Sequence, residues 1–345
     1  MYKIAKEQLP SLFAAIKAQM DLYMPLTKNG QVNYGIWSEE EETALDALNS
    51  VKSPKDFFFP QSETLYTCYM EGKNISVTPE ELRDAPFAVF GIRACDVQGL
   101  TVLDQVFLAD PVDSYYKARR EHGILISAAC HEPEETCFCK AFGIDAHDPA
   151  GDVATWTVGD TLYWEPKTEK GEKLTESLNA LLAPAGDEGK EAVKKEQEDI
   201  CAITEKLPYA NLSLDAFKEA QLLDLFNSPK WDELYKACLG CGTCTFICPT
   251  CQCYDIRDYN TGREIKRFRC WDSCMYSDFT LMAHGNIRNT QKERFRQRFM
   301  HKLVYFPENN DGMFSCVGCG RCVNKCPSNL NIVKVIKSLG VSRDV

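Results

Sequence analysis

No apolar run in this 345-residue chain is long enough to cross a bilayer. The longest, at 87–92 and 123–130, have the length of strands, whereas a spanning helix takes about 18 to 20 residues. The first twenty residues lack the layout of a secretion signal. Lys3, Lys6 and Glu7 lead instead into a mixed stretch, 9–20, spaced as an amphipathic helix, so a cytoplasmic protein is expected. Positive charge is also short: the net charge of −11 argues against nucleic acid as a partner, because phosphates call for a basic surface. Nucleotide fingerprints are missing as well, with no Gly-x-Gly-x-x-Gly between strand and helix, no P-loop and no His-Glu-x-x-His. The chain is therefore expected to hold no nicotinamide site. A flavin site is left open.

Cysteine, by contrast, is abundant at eighteen residues. Without an export signal these point to metal ligation rather than disulfides. Twelve of them fall between Cys238 and Cys326. Within that stretch Cys238-x2-Cys241-x2-Cys244-x3-Cys248-Pro249 is repeated as Cys316-x2-Cys319-x2-Cys322-x3-Cys326-Pro327. A cubane needs four thiolates at tetrahedral corners. Three at this spacing wrap one face, glycines (240, 242, 318, 320) let the backbone come close, and the fourth points away to a second cluster. One [4Fe-4S] cluster is thus expected on Cys238, Cys241, Cys244 and Cys326, and another on Cys316, Cys319, Cys322 and Cys248. Zinc sites more often use two separated Cys-x2-Cys pairs.

The remaining cysteines divide further. Residues 86–165 read as α/β: a strand at 87–92, a helix at 96–108, a strand at 123–129, and a hairpin around Gly159-Asp160. If the first two strands are parallel neighbours, Cys95 and Cys130 both lie at the carboxyl end of the sheet, with Cys137 and Cys139 in the next loop. These four can converge on a third [4Fe-4S] cluster, or be separate buried thiols that pack as small hydrophobes. Cys251, Cys253, Cys270 and Cys274 form another set, the last two one turn apart if helical. They can hold a fourth centre or shield the first two. Cys68 and Cys201 read as structural.

The expected architecture is an N-terminal α/β domain with a short parallel sheet, residues 1–205, followed by a mainly helical two-cluster ferredoxin-like domain, 206–345. Residues 165–205, rich in Lys and Glu, cover the boundary. The basic stretch 288–302 reads either as a cationic face beside anionic clusters or as a solvated helix anchored by Phe295 and Phe299. His122 and His131 read better as hydrogen-bonded residues than as ligands. Asp96 and the acids at 132–135 have no nucleophile to serve, so no catalytic residue is expected.

Residues 64–342 resemble the iron–sulfur A subunit of anaerobic sulfite reductase and the β subunit of cytoplasmic sulfhydrogenases. The likeness rests on Glu63-Thr64-Leu65-Tyr66, Ile92-Arg93-Ala94-Cys95-Asp96, Leu103-Asp104, Cys137-Phe138-Cys139, Cys248-Pro249-Thr250-Cys251-Gln252-Cys253-Tyr254, Trp271-Asp272-Ser273-Cys274 and His301-Lys302. It implies an electron-transfer subunit between a flavin- and NAD(P)H-binding partner and a catalytic redox subunit. It also implies functional cysteines at 95, 130, 137 and 139, and at 251, 253 and 274, but not usually at 270. The other readings are a self-contained iron–sulfur reductase with a substrate site in the N-terminal domain, and a redox-sensing cluster protein.

Overall fold

The six residues of Phe87–Ile92 are all buried, as expected of a strand covered on both faces. In the computed structural model, which describes residues 1–47, 49–219 and 222–340, this strand, β6, lies inside a mixed eight-stranded sheet. The other members are β1 (Tyr2–Ala5), β2 (Asp21–Lys28), β3 (Gln31–Ile36), β7 (Gly123–Ala128), β8 (Val153–Val158), β9 (Thr161–Pro166) and β10 (Ala183–Pro184). Their order is β10-β1-β9-β8-β7-β6-β2-β3. The four central strands β2, β6, β7 and β8 run parallel, and the flanks are antiparallel.

Helices α1 (Leu9–Lys17) and α4 (Glu169–Ser177) pack with Leu22, Phe90, Ile126 and Trp164 in one core. Helices α2 (Ala94–Phe107) and α3 (Ser114–His122) lie between β6 and β7 in sequence and close a second core around Phe58, Phe59, Phe87 and Val89. The strand–helix–strand reading of 86–129 thus matches the topology. Segment 165–205 contributes α4 and the long helix α5 (Gly186–Glu205).

At the carboxyl end of β6 the ladder slips at Gly91, whose φ of +75° favours glycine. The Tyr34 hydroxyl donates to the Gly91 carbonyl at 2.9 Å. The chain then turns directly into α2, which places Arg93, Cys95 and Asp96 at that edge.

A second sheet was not legible beforehand. Strands β4 (Ser62–Glu71), β5 (Asn74–Pro79), β11 (Tyr254–Asn260) and β12 (Glu264–Trp271) pair in the order β11-β12-β4-β5. It joins residues from both of the expected spans. The segment between the two cysteine runs is therefore not uniformly helical. Its sequence alternates on either side of Thr261-Gly262, a hairpin pattern. The helices α6 (Gln291–Met300) and α7 (Ile332–Gly340) build the C-terminal core with Trp231, Phe295, Phe299 and Leu303. Among the described residues no helix is long and apolar enough to cross a membrane.

Candidate metal centres

The two cysteine runs adopt the same backbone form. Gly240 and Gly242 have φ of +68° and +73°, and Gly318 and Gly320 have +59° and +75°. In each run the second glycine caps a four-residue helix, Thr243–Phe246 or Arg321–Asn324, which carries the third cysteine. Glycine is also required by space. A Cβ at 318 would strike the Phe138 carbonyl, and one at 320 would come within 2.7 Å of the Thr136 carbonyl oxygen.

Cys238, Cys241 and Cys244 line a small cavity together with Cys326 and Pro327 of the second run, bordered by Phe295, Arg298 and Ile332. Cys322 reaches its edge. Cys241 is exposed, while Cys238, Cys244 and Cys326 are partly covered. The Cys326 thiol is held by the Leu330 N–H at 3.2 Å.

The next group is Cys316, Cys319, Cys322 and Cys248. Burial pushes Cys316 up to about 12, with Cys248 and Cys319 adding to the rise. Cys319 and Cys322 are raised by burial too, and both feel Cys248. Cys248 itself is pulled down, first by the hydrogen bond from the Cys251 thiol, which is correspondingly held up.

Cys95 and Cys130 follow the carboxyl ends of the neighbouring strands β6 and β7, and Cys137 and Cys139 lie in the loop after Cys130. Burial raises all four, pushing Cys139 up to about 12. Cys130 further raises Cys137 and Cys139, and Cys139 further raises Cys95. The loop carrying them docks on the second run. The Phe138 N–H donates to the Gly318 carbonyl at 2.8 Å, and the Cys137 thiol points at the Cys319 carbonyl at 3.8 Å.

The fourth set divides. Cys253 and Cys274 are hydrogen-bonded to each other, with Cys251 alongside. Cys270 stands elsewhere, on β12 opposite Asp255 and Ser62. The helical turn that would have joined it to Cys274 is absent because 264–271 is a strand. His122 bonds to the Ala118 carbonyl within α3 and His131 lines a separate pocket beside Arg93.

Charge around these thiols was only partly foreseen. The basic stretch is turned inward at Arg298 and Lys302, each 3 % exposed. Lys55, equally buried, gave no signal in the sequence. The Arg298 Nε is buried without a hydrogen-bond partner, although the side chain lines the cysteine cavity. Among the described residues no three His, Cys, Asp or Glu side chains gather as donors to a single metal ion. The thiols of the first run surround a cavity instead. A set of cysteine donors, glycine cradles and a buried cation with an unbonded Nε together suit an anionic cluster.

Comparison with known proteins agrees with this chemistry. Residues 237–330 match the model of the 4Fe-4S dicluster domain. The chain is 32% identical over 337 residues to sulfhydrogenase 2 subunit beta of Pyrococcus furiosus, which covers 97% of this chain and 96% of that protein. No solved structure matches it.

Proposed function

The chain belongs to the family of the sulfhydrogenase β subunit, whose members are iron–sulfur electron-transfer subunits, and from that premise we propose that it relays single electrons between a flavin- and NAD(P)H-binding partner and a catalytic redox subunit. Cubane clusters supply one-electron couples when bound. The chain's own part is to hold them by thiolates, keep water from their buried faces and set their spacing. It works in the cytoplasm, binds no nicotinamide itself and leaves bond chemistry to its partners.

In this reading Cys238, Cys241, Cys244 and Cys326 hold one [4Fe-4S] cluster, and Cys316, Cys319, Cys322 and Cys248 hold a second. Cys95, Cys130, Cys137 and Cys139 hold a third at the sheet edge, which adjoins the second through Phe138 and Gly318. The observation that carries it is the cavity where three cysteines of the first run face the fourth cysteine of the second. Support for the third cluster comes from the placing of Cys130, Cys137 and Cys139 close enough that Cys130 raises the other two, with Cys95 raised in turn by Cys139, a grouping a metal would stabilise by deprotonating it. Cys251, Cys253 and Cys274 lack Cys270 as a fourth partner and are left without a cluster.

Iron and sulfide analysis of the anaerobically purified chain tests this, with about twelve irons expected and about eight refuting the third cluster. The crossed ligand sets are tested by pairs of substitutions. Cys241→Ser and Cys326→Ser should together remove about four irons, no more than either alone, whereas Cys241→Ser with Cys319→Ser should remove about eight. Additive loss from the first pair would break the assignment. Substantial NADH–dye activity of the chain alone would sink the relay role.

A further inference from the structure

Arg298 and Lys302 stand four residues apart, where α6 runs into the π-helical segment His301–Tyr305. Like charges at that spacing repel, and each is expensive to take out of water. A single π turn inside an α-helix is uncommon and is often found at functional positions. Lys55, on the short turn Pro54–Phe57, brings a third buried cation against the same loop.

Other buried cations in this molecule have carboxylates: Arg321 has Asp96, and Arg269 has Glu63 and Asp113. Arg298, Lys302 and Lys55 make no such ion pair among the described residues. They touch cysteine-bearing chain. Arg298 donates to the Cys244 carbonyl at 3.0 Å and to the Cys251 sulfur at 3.7 Å. Lys302 donates to the Thr250 hydroxyl at 2.7 Å and to the carbonyl of Ser315, the residue before Cys316, at 2.8 Å. Lys55 donates to the Cys251 carbonyl at 2.7 Å. The three charges thus sit between the loops of the two cysteine runs, and one side chain lines the first cavity.

We propose that Arg298 and Lys302, with Lys55 behind them, are the internal counter-charges of the two clusters and raise their reduction potentials. The inference rests on the cluster reading above. A cluster with four thiolates is anionic, and reduction adds one more negative charge. A fixed cation in a buried site stabilises the reduced form more than the oxidised one, so the couple moves to more positive potential. Arg298 and Lys302 are positioning residues in this role: they set where electrons rest and take part in no bond.

The test is a potentiometric titration of the full chain, purified anaerobically and read by the electron paramagnetic resonance of the reduced clusters. Lys302→Met should lower at least one midpoint by about 59 mV or more, a tenfold fall in the reduced-to-oxidised ratio at fixed potential. Lys302→Arg should restore it. Unchanged midpoints at full iron content would overturn the proposal and leave the Cys251 sulfur as the group the cations serve. Loss of iron from Lys302→Met but not from Lys302→Arg would support it, since charge then holds the cluster. Loss from both would overturn it, because side-chain shape would be what matters. An unsubstituted chain with fewer than about eight irons would instead defeat the cluster reading itself.

Discussion

The guanidinium of Arg321 donates to Asp96 through Nη1 and Nη2 at 2.6 and 2.7 Å, and its Nε and Nη2 also donate to Ser50. This one side chain ties three places together. Asp96 follows Cys95 at the sheet edge, Arg321 sits between Cys319 and Cys322, and Ser50 belongs to the loop after β3. Both charges are almost wholly buried, so removing one strands the other. Arg321→Met is expected to cost about 3–5 kcal/mol, read as a lower urea midpoint. The double substitution with Asp96→Leu should recover much of it, because no unpaired charge remains. At this scale the sequence marked Cys95 and the motif around it. It gave no hint of the pair, since an arginine inside a cysteine run looks like any exposed loop residue until the fold brings Asp96 to it.

Among the elements, the hairpin β11–β12 is the one that sequence reading passed over, because the surrounding cysteine loops and helices set the expectation. What holds it is again a buried charge network. Arg269 on β12 is 3 % exposed and bonds to Glu63 on β4 at 2.7 Å through Nε, and also to Asp113 at the start of α3. Arg119 closes the ring on Glu63. Glu63, part of the Glu-Thr-Leu-Tyr stretch, is thereby a structural anchor between the second sheet and α3. Arg269→Met should cost about 3–5 kcal/mol by leaving Glu63 and Asp113 without their shared partner. Hydrogen exchange should then rise together in Ser62–Glu71 and Glu264–Trp271, while β6 and β7 stay protected. Exchange confined to the hairpin would mean that β4 is held by β5 alone. By contrast β6, α2, β7 and the β8–β9 hairpin were legible, since uniform burial, helical spacing and a Gly-Asp turn are local signals. The pairing of β4 with β12 joins residues about 200 positions apart, and no local pattern reports it.

For the whole molecule, stability divides by what fills each core. The large sheet is closed by Leu12, Ile16, Phe90, Ile126 and Trp164, with no cysteine among its buried members. The C-terminal core is lined by Cys238, Cys316 and Cys322 as well as by apolar side chains, and it adjoins the buried cations. Stripping iron should therefore act unevenly. The Arg298 and Lys302 charges would lose their counter-charge, and limited proteolysis should cut first within 238–326 and in the cysteine loop 130–139, while the strands of the large sheet and helices α1 and α4 resist. Equal loss of protection in both regions would contradict this division.

The second sheet has a consequence for how the protein is made. β4 leaves the ribosome with β5 beside it and its other edge unpaired, and β12 follows only about 190 residues later. At about 5–20 residues per second that is a wait of roughly 10–40 s with an open hydrogen-bonding edge. The same late strand precedes the second cysteine run by only about 45 residues. Closing the sheet and presenting the last ligands are therefore nearly simultaneous events at the end of synthesis, and iron delivered earlier would find none of the thiols of the second run.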